Sequence, residues 1–213
     1  LFIMEKLTNC KRCRRVGAKL FLKGEKCESQ HCPMIKKPYA PGQKPKRRKG
    51  RVSEYGRELA EKQKLRYWYN LREKQLLRYV KSVMAKDQEV ESTGDQLLRK
   101  LEGRLDNIAY RAGFAVSRAQ ARQMVSHGFF YVNGRLVDRP SYQVKKDDEI
   151  SLKPGKKDRK LFEEFEANMK NFTPPAWISL DKKNLTAKIV GDAIIEEIAP
   201  PVEISSVFEF YSR

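Results

Sequence analysis

Four cysteines constrain this chain more than any other feature, because all of them fall within its first 32 residues. They form two short pairs, Cys10-Lys-Arg-Cys13 and Cys27-Glu-Ser-Gln-His-Cys32, and the gaps between successive cysteines are two, thirteen and four residues. Each pair can bite one ion, and the loop between the pairs is long enough for both to close on it as a tetrahedral thiolate site. A stretch this poor in large apolar groups cannot fold on core burial alone, so metal ligation would supply its folding energy. The reading is structural zinc held by Cys10, Cys13, Cys27 and Cys32. An iron–sulfur cluster is the runner-up, and free thiols or disulfides come third, since nothing in the sequence indicates an oxidising compartment. Lys11, Arg12, Arg14 and Arg15 flank the first pair and are expected to lower its thiol pKa values. Four thiolates fill such a site, so His31 reads as a surface residue and metal catalysis is not expected.

Charge points to the partner. The formal net charge is +18, and residues 1–50 alone contribute 15 basic against 3 acidic residues. A surface of that sign attracts polyanions, because neutralised phosphates release their counterions. Within the first quarter, Lys44-Pro45-Lys46-Arg47-Arg48-Lys49-Gly50-Arg51 is nearly all cation. Such a run cannot pack on itself and reads as an extended arm, and Lys44, Lys46, Arg47, Arg48, Lys49 and Arg51 are candidate nucleic-acid contacts. Charged residues make up 34% of the chain and hydrophobic ones 40%, against about 25% and 45–50% in typical globular chains. The core is therefore thin and the surface large. No stretch approaches the roughly 18 apolar residues of a membrane span. Leu1–Met4 is too short for a signal-peptide core, so neither membrane insertion nor secretion is expected.

The middle of the chain reads as helical. Residues 53–85 contain no proline, and their leucines, valines and aromatics recur at helical spacing, predicting helices over about 54–69 and 72–86. The polar run 87–95 marks a domain crossing. Beyond it, Leu97, Leu101, Leu105, Ile108 and Ala112 predict one long helix that Gly113 terminates. Ser117-Arg-Ala-Gln120 is a capping box that opens a second helix, ending at Gly128. Phe129–Val132 and Arg135–Val137 flank Asn133-Gly134, the strongest two-residue hairpin signal, and Asp148–Lys153 supplies a further strand. Arg104 and Arg111 stand two turns apart on the expected first helix, and Arg118 and Arg122 are i,i+4 on the second. If the helices pack antiparallel, both pairs can face one strand of phosphates, which guanidinium groups bind bidentately. The competing reading is ion pairing with Glu102 and Asp106.

These residues, taken in chain order, resemble the small-subunit ribosomal protein uS4 family in its cysteine-bearing bacterial form. Gly17–Gly24 between the cysteine pairs is similar to the family's metal-binding segment, and Pro38–Gln43 to the loop that follows. Ser53–Arg66 resembles its first long helix. Leu105-Asp106-Asn107, Ser117–Arg122 and Val132-Asn133-Gly134 resemble the RNA-binding module that bears the family's name, and Trp177-Ile178 with Glu209–Arg213 its closing segment. The resemblance adds Tyr55, Lys62, Lys64, Arg66, Gln120 and Arg135 to the candidate RNA-binding residues. It implies a primary binder of the 16S rRNA 5′ domain in the cytoplasmic ribosome, clamping a helix junction and nucleating assembly of the small-subunit body. It further implies contacts with neighbouring small-subunit ribosomal proteins and with mRNA at the entry channel, and an influence on translational accuracy. Neither a membrane nor a small-molecule substrate belongs to that picture.

The same hairpin module occurs in RNA-modifying enzymes and other RNA-binding factors, which form the alternative class. Gly103-Arg104-Leu105-Asp106 is similar to the short motif carrying the catalytic aspartate of pseudouridine synthases. Here it lies inside the module itself, and the roughly 60 residues that follow are too few for a separate catalytic domain, so Asp106 reads as structural or as an arginine partner. His31 and His127 are far apart and lack a nucleophile pattern. The chain is therefore expected to be no enzyme. Its fold class is expected to be α+β: a metal-stapled region with its basic arm (1–52), a mainly helical body (53–95 with 153–213), and an inserted helix–helix–β-hairpin RNA-binding module (96–152). Trp177, Phe162, Phe165 and Phe208 are expected to return onto the body helices.

Overall fold

The computed structural model describes residues 9–42, 51–85, 92–153 and 172–213. The chain divides into two compact units, Leu1–Asp87 with Pro200–Arg213, and Gln88–Ala199. The arm residues Lys44, Lys46, Arg47, Arg48 and Lys49, together with Phe162 and Phe165, lie outside the described residues.

The first unit is helical. Short helices α1 (Asn9–Val16), α2 (Glu25–Glu28) and α3 (Pro33–Lys36) carry the cysteines, and α4 (Glu54–Trp68) and α5 (Glu73–Met84) form the body. Ser53 caps α4 by accepting the Gly56 N–H at 3.2 Å, one of the donors a helix start leaves unmet. The chain reverses through Asn70, whose φ of 51° is left-handed and suits asparagine among non-glycine residues. Leu65, Leu76, Val80 and Val83 are essentially inaccessible, so the predicted apolar stripes do form the core. The metal-region segment is not a separate piece, because α1 packs against α4.

The second unit is α+β. Among the described residues it contains α6 (Thr93–Glu102), α7 (Leu105–Arg111), α8 (Arg118–Ser126), five strands and the short α9 (Ile195–Ile198). Strands β1 (Phe130–Val132), β2 (Arg135–Leu136), β3 (Glu149–Leu152), β4 (Ile178–Asp181) and β5 (Thr186–Ile189) form one sheet in the order β2-β1-β3-β5-β4. Every pairing is antiparallel. Asn133 and Gly134 turn the β1–β2 hairpin with φ values of 49° and 76°, the two positive angles a type I′ turn requires. Ser117 accepts the Gln120 N–H at 3.3 Å as the expected N-cap, but the Gln120 side chain accepts the N–H of Val116 at 3.0 Å and not that of Ser117, so the capping box is met only in its first half.

Two expectations are corrected. The long helix over 97–112 is two helices, broken at Gly103-Arg104. Residues 142–144 lie alongside that point: Val144 N–H donates to the Gly103 carbonyl at 2.8 Å and Leu105 N–H to the Tyr142 carbonyl at 2.9 Å. This strand-like pairing takes backbone groups that a continuous helix would use itself. The body also has other limits than 53–95 with 153–213. Residues 178–189 form the β4–β5 hairpin, which extends the RNA-module sheet through β3, and Trp177 is buried in that unit. Among the described residues beyond 153, the final segment returns to the body, as α10 (Ile204–Ser212), which carries Phe208 and packs on α4 and α5. The alternation of Ile178-Ser-Leu-Asp and Thr186-Ala-Lys-Ile carries the strand signal.

Candidate nucleic-acid interface

All four cysteines are free thiols, and Cys13, Cys27 and Cys32 are buried. Together with Cys10 they line one small cavity, which Lys19, Lys23, Leu22 and Met34 help to close. The Lys23 N–H donates to Cys27 Sγ at 3.3 Å, a bond that suits a thiolate. Burial pushes the Cys13 thiol up, a backbone hydrogen bond from Leu20 pulls against it, and the charges of Cys27, Cys10 and Cys32 add to the rise. This corrects the expected lowering at Cys13. The flanking cations are turned elsewhere: Arg12 lies over Tyr67, Arg14 over Tyr39, and Lys11 and Arg15 are exposed. Among the described residues, no group of three or more histidine, cysteine or acidic side chains is arranged so that it could hold a metal ion. The donor chemistry and the shared cavity suit a four-thiolate site, but the side chains as placed do not support the metal staple. His31 is exposed, its Nδ1 3.3 Å from Lys36 Nζ.

The second unit gathers its arginines around two buried carboxylates. Arg104 is 1% exposed and bidentate to Asp106, through Nε at 3.0 Å and Nη2 at 2.7 Å. Arg122 reaches the same carboxylate at 3.5 Å. Arg111 is bidentate to Glu102, both contacts at 3.0 Å. Asn107 donates to Glu102 and accepts from Arg118 Nε at 2.7 Å, while the Arg118 guanidinium lies 4.6 Å over the Tyr110 ring. A carboxylate buried without a cation costs several kcal/mol, roughly 3–5, so Glu102 and Asp106 draw the guanidinium groups inward. This corrects the expected phosphate-facing rows. Arg104 and Arg111 are not on one helix, Arg104 is an interior ion, and Asp106 is the arginine partner that its place in the sequence suggested.

The two units then meet the record of known proteins. The family model "Ribosomal protein S4/S9 N-terminal domain" matches residues 6–102, and "S4 domain" matches residues 103–150. The chain is 45% identical over 204 residues to the small ribosomal subunit protein uS4 of Natranaerobius thermophilus, covering 96% of each chain. It belongs to the uS4 family. The uS4 protein of Acidithiobacillus ferrooxidans is 47% identical over 207 residues, 96% of this chain and 97% of the relative. That of Thermus thermophilus is 45% identical over 204 residues, 96% of each. The boundary between the two uS4 models falls at Gly103, where α6 ends.

On this uS4 scaffold the candidate contacts separate by exposure. In the first unit Lys62 and Arg66 are interior, both paired with Glu73 at 2.7 and 3.3 Å. Lys64 pairs with Glu61. Tyr55 is half exposed with its ring 5.5 Å from Phe210, and Arg51 is exposed. In the second unit Arg135 is exposed on β2, whereas the Gln120 side chain accepts the Val116 N–H. Arg139, Lys145 and Lys146 are exposed on the connection between β2 and β3. Arginines at helical spacing do not point to them, although the Lys145-Lys146 pair just beyond the hairpin is a legible signal in the sequence. Among the described residues no helix is long and apolar enough to cross a membrane.

Proposed function

We propose that this chain is a structural constituent of the small ribosomal subunit that binds the 5′ domain of 16S rRNA. In that role it clamps a helix junction, nucleates assembly of the subunit body, and touches neighbouring small-subunit proteins. The uS4 family is structural and not enzymatic, and the buried, arginine-paired Asp106 agrees with that. The observation that carries the reading is the full-length relationship to uS4 proteins, and the exposed cations give it a physical basis. Arg51 on one unit, and Arg135, Arg139, Lys145 and Lys146 on the other, can reach phosphates without breaking an internal ion pair. Such contacts recognise RNA by shape and backbone. A place at the mRNA entry channel, with an effect on accuracy, completes the proposal.

The decisive experiment is a filter-binding titration of the full chain against 5′-domain 16S rRNA, with competitor duplex RNA, across a salt series. Tight binding that survives competitor supports junction recognition. Equal loss of both RNAs leaves only a polycation, whose affinity falls with salt in the same way for any sequence.

The cysteine cavity is proposed to hold zinc through Cys10, Cys13, Cys27 and Cys32, with an iron–sulfur cluster as the second reading. Three buried sulfurs around one small space support this. The ion would balance thiolate charge and cross-link α1 to the segment that follows it. Cobalt(II) added to the reduced chain should give intense thiolate charge-transfer bands and release protons. Weak octahedral absorption would refute the four-thiolate assignment.

A further inference from the structure

The β1–β2 turn holds a chemically reactive pair in a clamp. Asn133-Gly134 is the one Asn-Gly pair in the chain, and both residues are exposed. Glycine sets no Cβ beside its own nitrogen, and a Cβ built at Gly134 would meet nothing within 4 Å. Three hydrogen bonds nevertheless tie Asn133 to the start of β3. Its N–H donates to the Glu149 carbonyl at 2.9 Å, its Oδ1 accepts the Glu149 N–H at 2.9 Å, and its Nδ2 donates to Asp148 Oδ1 at 2.7 Å. Asp148 is itself fixed, because its Oδ2 accepts the Lys145 N–H at 2.8 Å. Both ends of the Asn133 amide are therefore held. The turn does not need this to form, since Asn-Gly suits type I′ through its positive φ values alone.

We infer that Asn133 is a self-modification site, a deamidation centre that Asp148 keeps shut while the hairpin is folded. In the reaction the Gly134 nitrogen attacks Cγ of Asn133. The N–Cγ bond forms and the Cγ–Nδ2 bond breaks. Nδ2 leaves as ammonia, taking up the proton that Gly134 gives up, and a cyclic imide remains. Water then opens the ring at either carbonyl to give aspartate or isoaspartate, and nothing is oxidised or reduced. Attack requires the amide to swing onto Gly134, which first breaks its bonds to Asp148 and Glu149. The chain therefore modifies itself chiefly while the hairpin is open. The product cannot close the clamp again. With aspartate at position 133, an oxygen replaces the donor 2.7 Å from Asp148 Oδ1, and two carboxylates so close cannot both ionise. With isoaspartate, an extra backbone carbon enters the turn, and the pairing of Val132 with Arg135 loses its register. Ammonia loss thus marks, in covalent form, a chain whose hairpin has stood open.

The test ages the full chain in mildly alkaline buffer and follows isoaspartate at position 133 by enzymatic carboxyl methylation and peptide mapping. The chain unfolded in urea sets the open rate. Folded, the same chain should convert about tenfold more slowly, the factor expected when a hydrogen bond to a charged group must break first. Asp148→Ala should lose most of that protection, and Asp148→Asn, which keeps a carbonyl acceptor, only part of it, in proteins whose buried Trp177 still emits as in the folded chain. Asn133→Asp keeps a turn sequence suited to type I′, so it isolates the clash of carboxylates. It should lower the urea midpoint read by Trp177, and adding Asp148→Asn should restore it. Equal rates in the folded and unfolded chains would overturn the clamp. Absence of isoaspartate at 133 in urea, while other asparagines convert, would overturn the site. An Asn133→Asp midpoint equal to that of the unsubstituted chain would overturn the effect on the hairpin.

Discussion

Arg104→Ala separates an interior ion from an RNA contact. The guanidinium is 1% exposed and makes two bonds to Asp106, itself 4% exposed. Removing it leaves a buried carboxylate whose remaining cation among the described residues is Arg122, 3.5 Å away and 26% exposed at its side chain. Breaking a buried pair by deleting one member costs roughly 3–5 kcal/mol, and the remaining Arg122 contact argues for the lower end, about 3 kcal/mol. With a urea dependence of about 1.5 kcal/mol per molar for a unit of this size, the unfolding midpoint should fall by about 2 M. The molecule contains its own reporters, since Trp68 is buried in the first unit and Trp177 in the second. In a Trp68→Phe background, Trp177 fluorescence should show the shift. In a Trp177→Phe background, Trp68 should report little change. The double variant Arg104→Met with Asp106→Leu should recover part of the loss, because the buried carboxylate is gone and Arg122, 26% exposed at its side chain, can turn toward solvent. A shift below about 0.5 M, combined with a shallower salt slope for rRNA, would refute the reasoning and return Arg104 to the phosphate-binding set.

Three further outcomes are expected. Gly113→Ala should destabilise the second unit by about 2 kcal/mol or more in the same Trp177 assay, because φ is 81° and the added Cβ would meet the Phe172 ring at 2.8 Å; an unchanged midpoint would mean that the ring moves freely. Burial pushes the Glu73 carboxyl up, but hydrogen bonds from Lys62 and Tyr211, with the charges of Lys62 and Arg66, outweigh it and hold the group below its ordinary 4.5. Its stabilisation is therefore present above that pH and lost as pH falls through the depressed native value. Glu73→Gln should flatten the acid limb read by Trp68, and an acid limb identical to the unsubstituted protein's would exclude Glu73 as the source. Cys13→Ser should lower the Trp68 midpoint in the presence of zinc, since α1 packs on α4; loss confined to the cysteine segment, with Trp68 unaffected, would show that segment to be energetically separate.

What could be read directly is short-range. Caps at Ser53 and Ser117 and the turn at Asn133-Gly134 depend on atoms within a few residues of one another, so local chemistry settles them. The apolar stripes of α4 and α5 are equally legible, because one face of each helix must be buried. The β4–β5 hairpin was harder to see. Its turn uses Asp181 accepting the Lys183 and Asn184 N–H groups in place of glycine or proline, and its alternation spans only four residues on each side.

The sequence by itself determined the family, the basic character of the chain, the helical body and the hairpin of the RNA-binding module. Tertiary structure alone decided which cations face solvent. Glu102 and Asp106 compete with any phosphate for Arg104, Arg111, Arg118 and Arg122, and they meet those groups only because residues 142–144 break the helix at Gly103. Likewise Lys62 and Arg66 become interior ions at Glu73, where Tyr211 arrives from 138 residues further along the chain. A guanidinium carries the same charge in either setting, and its role depends on which anion the fold brings nearest.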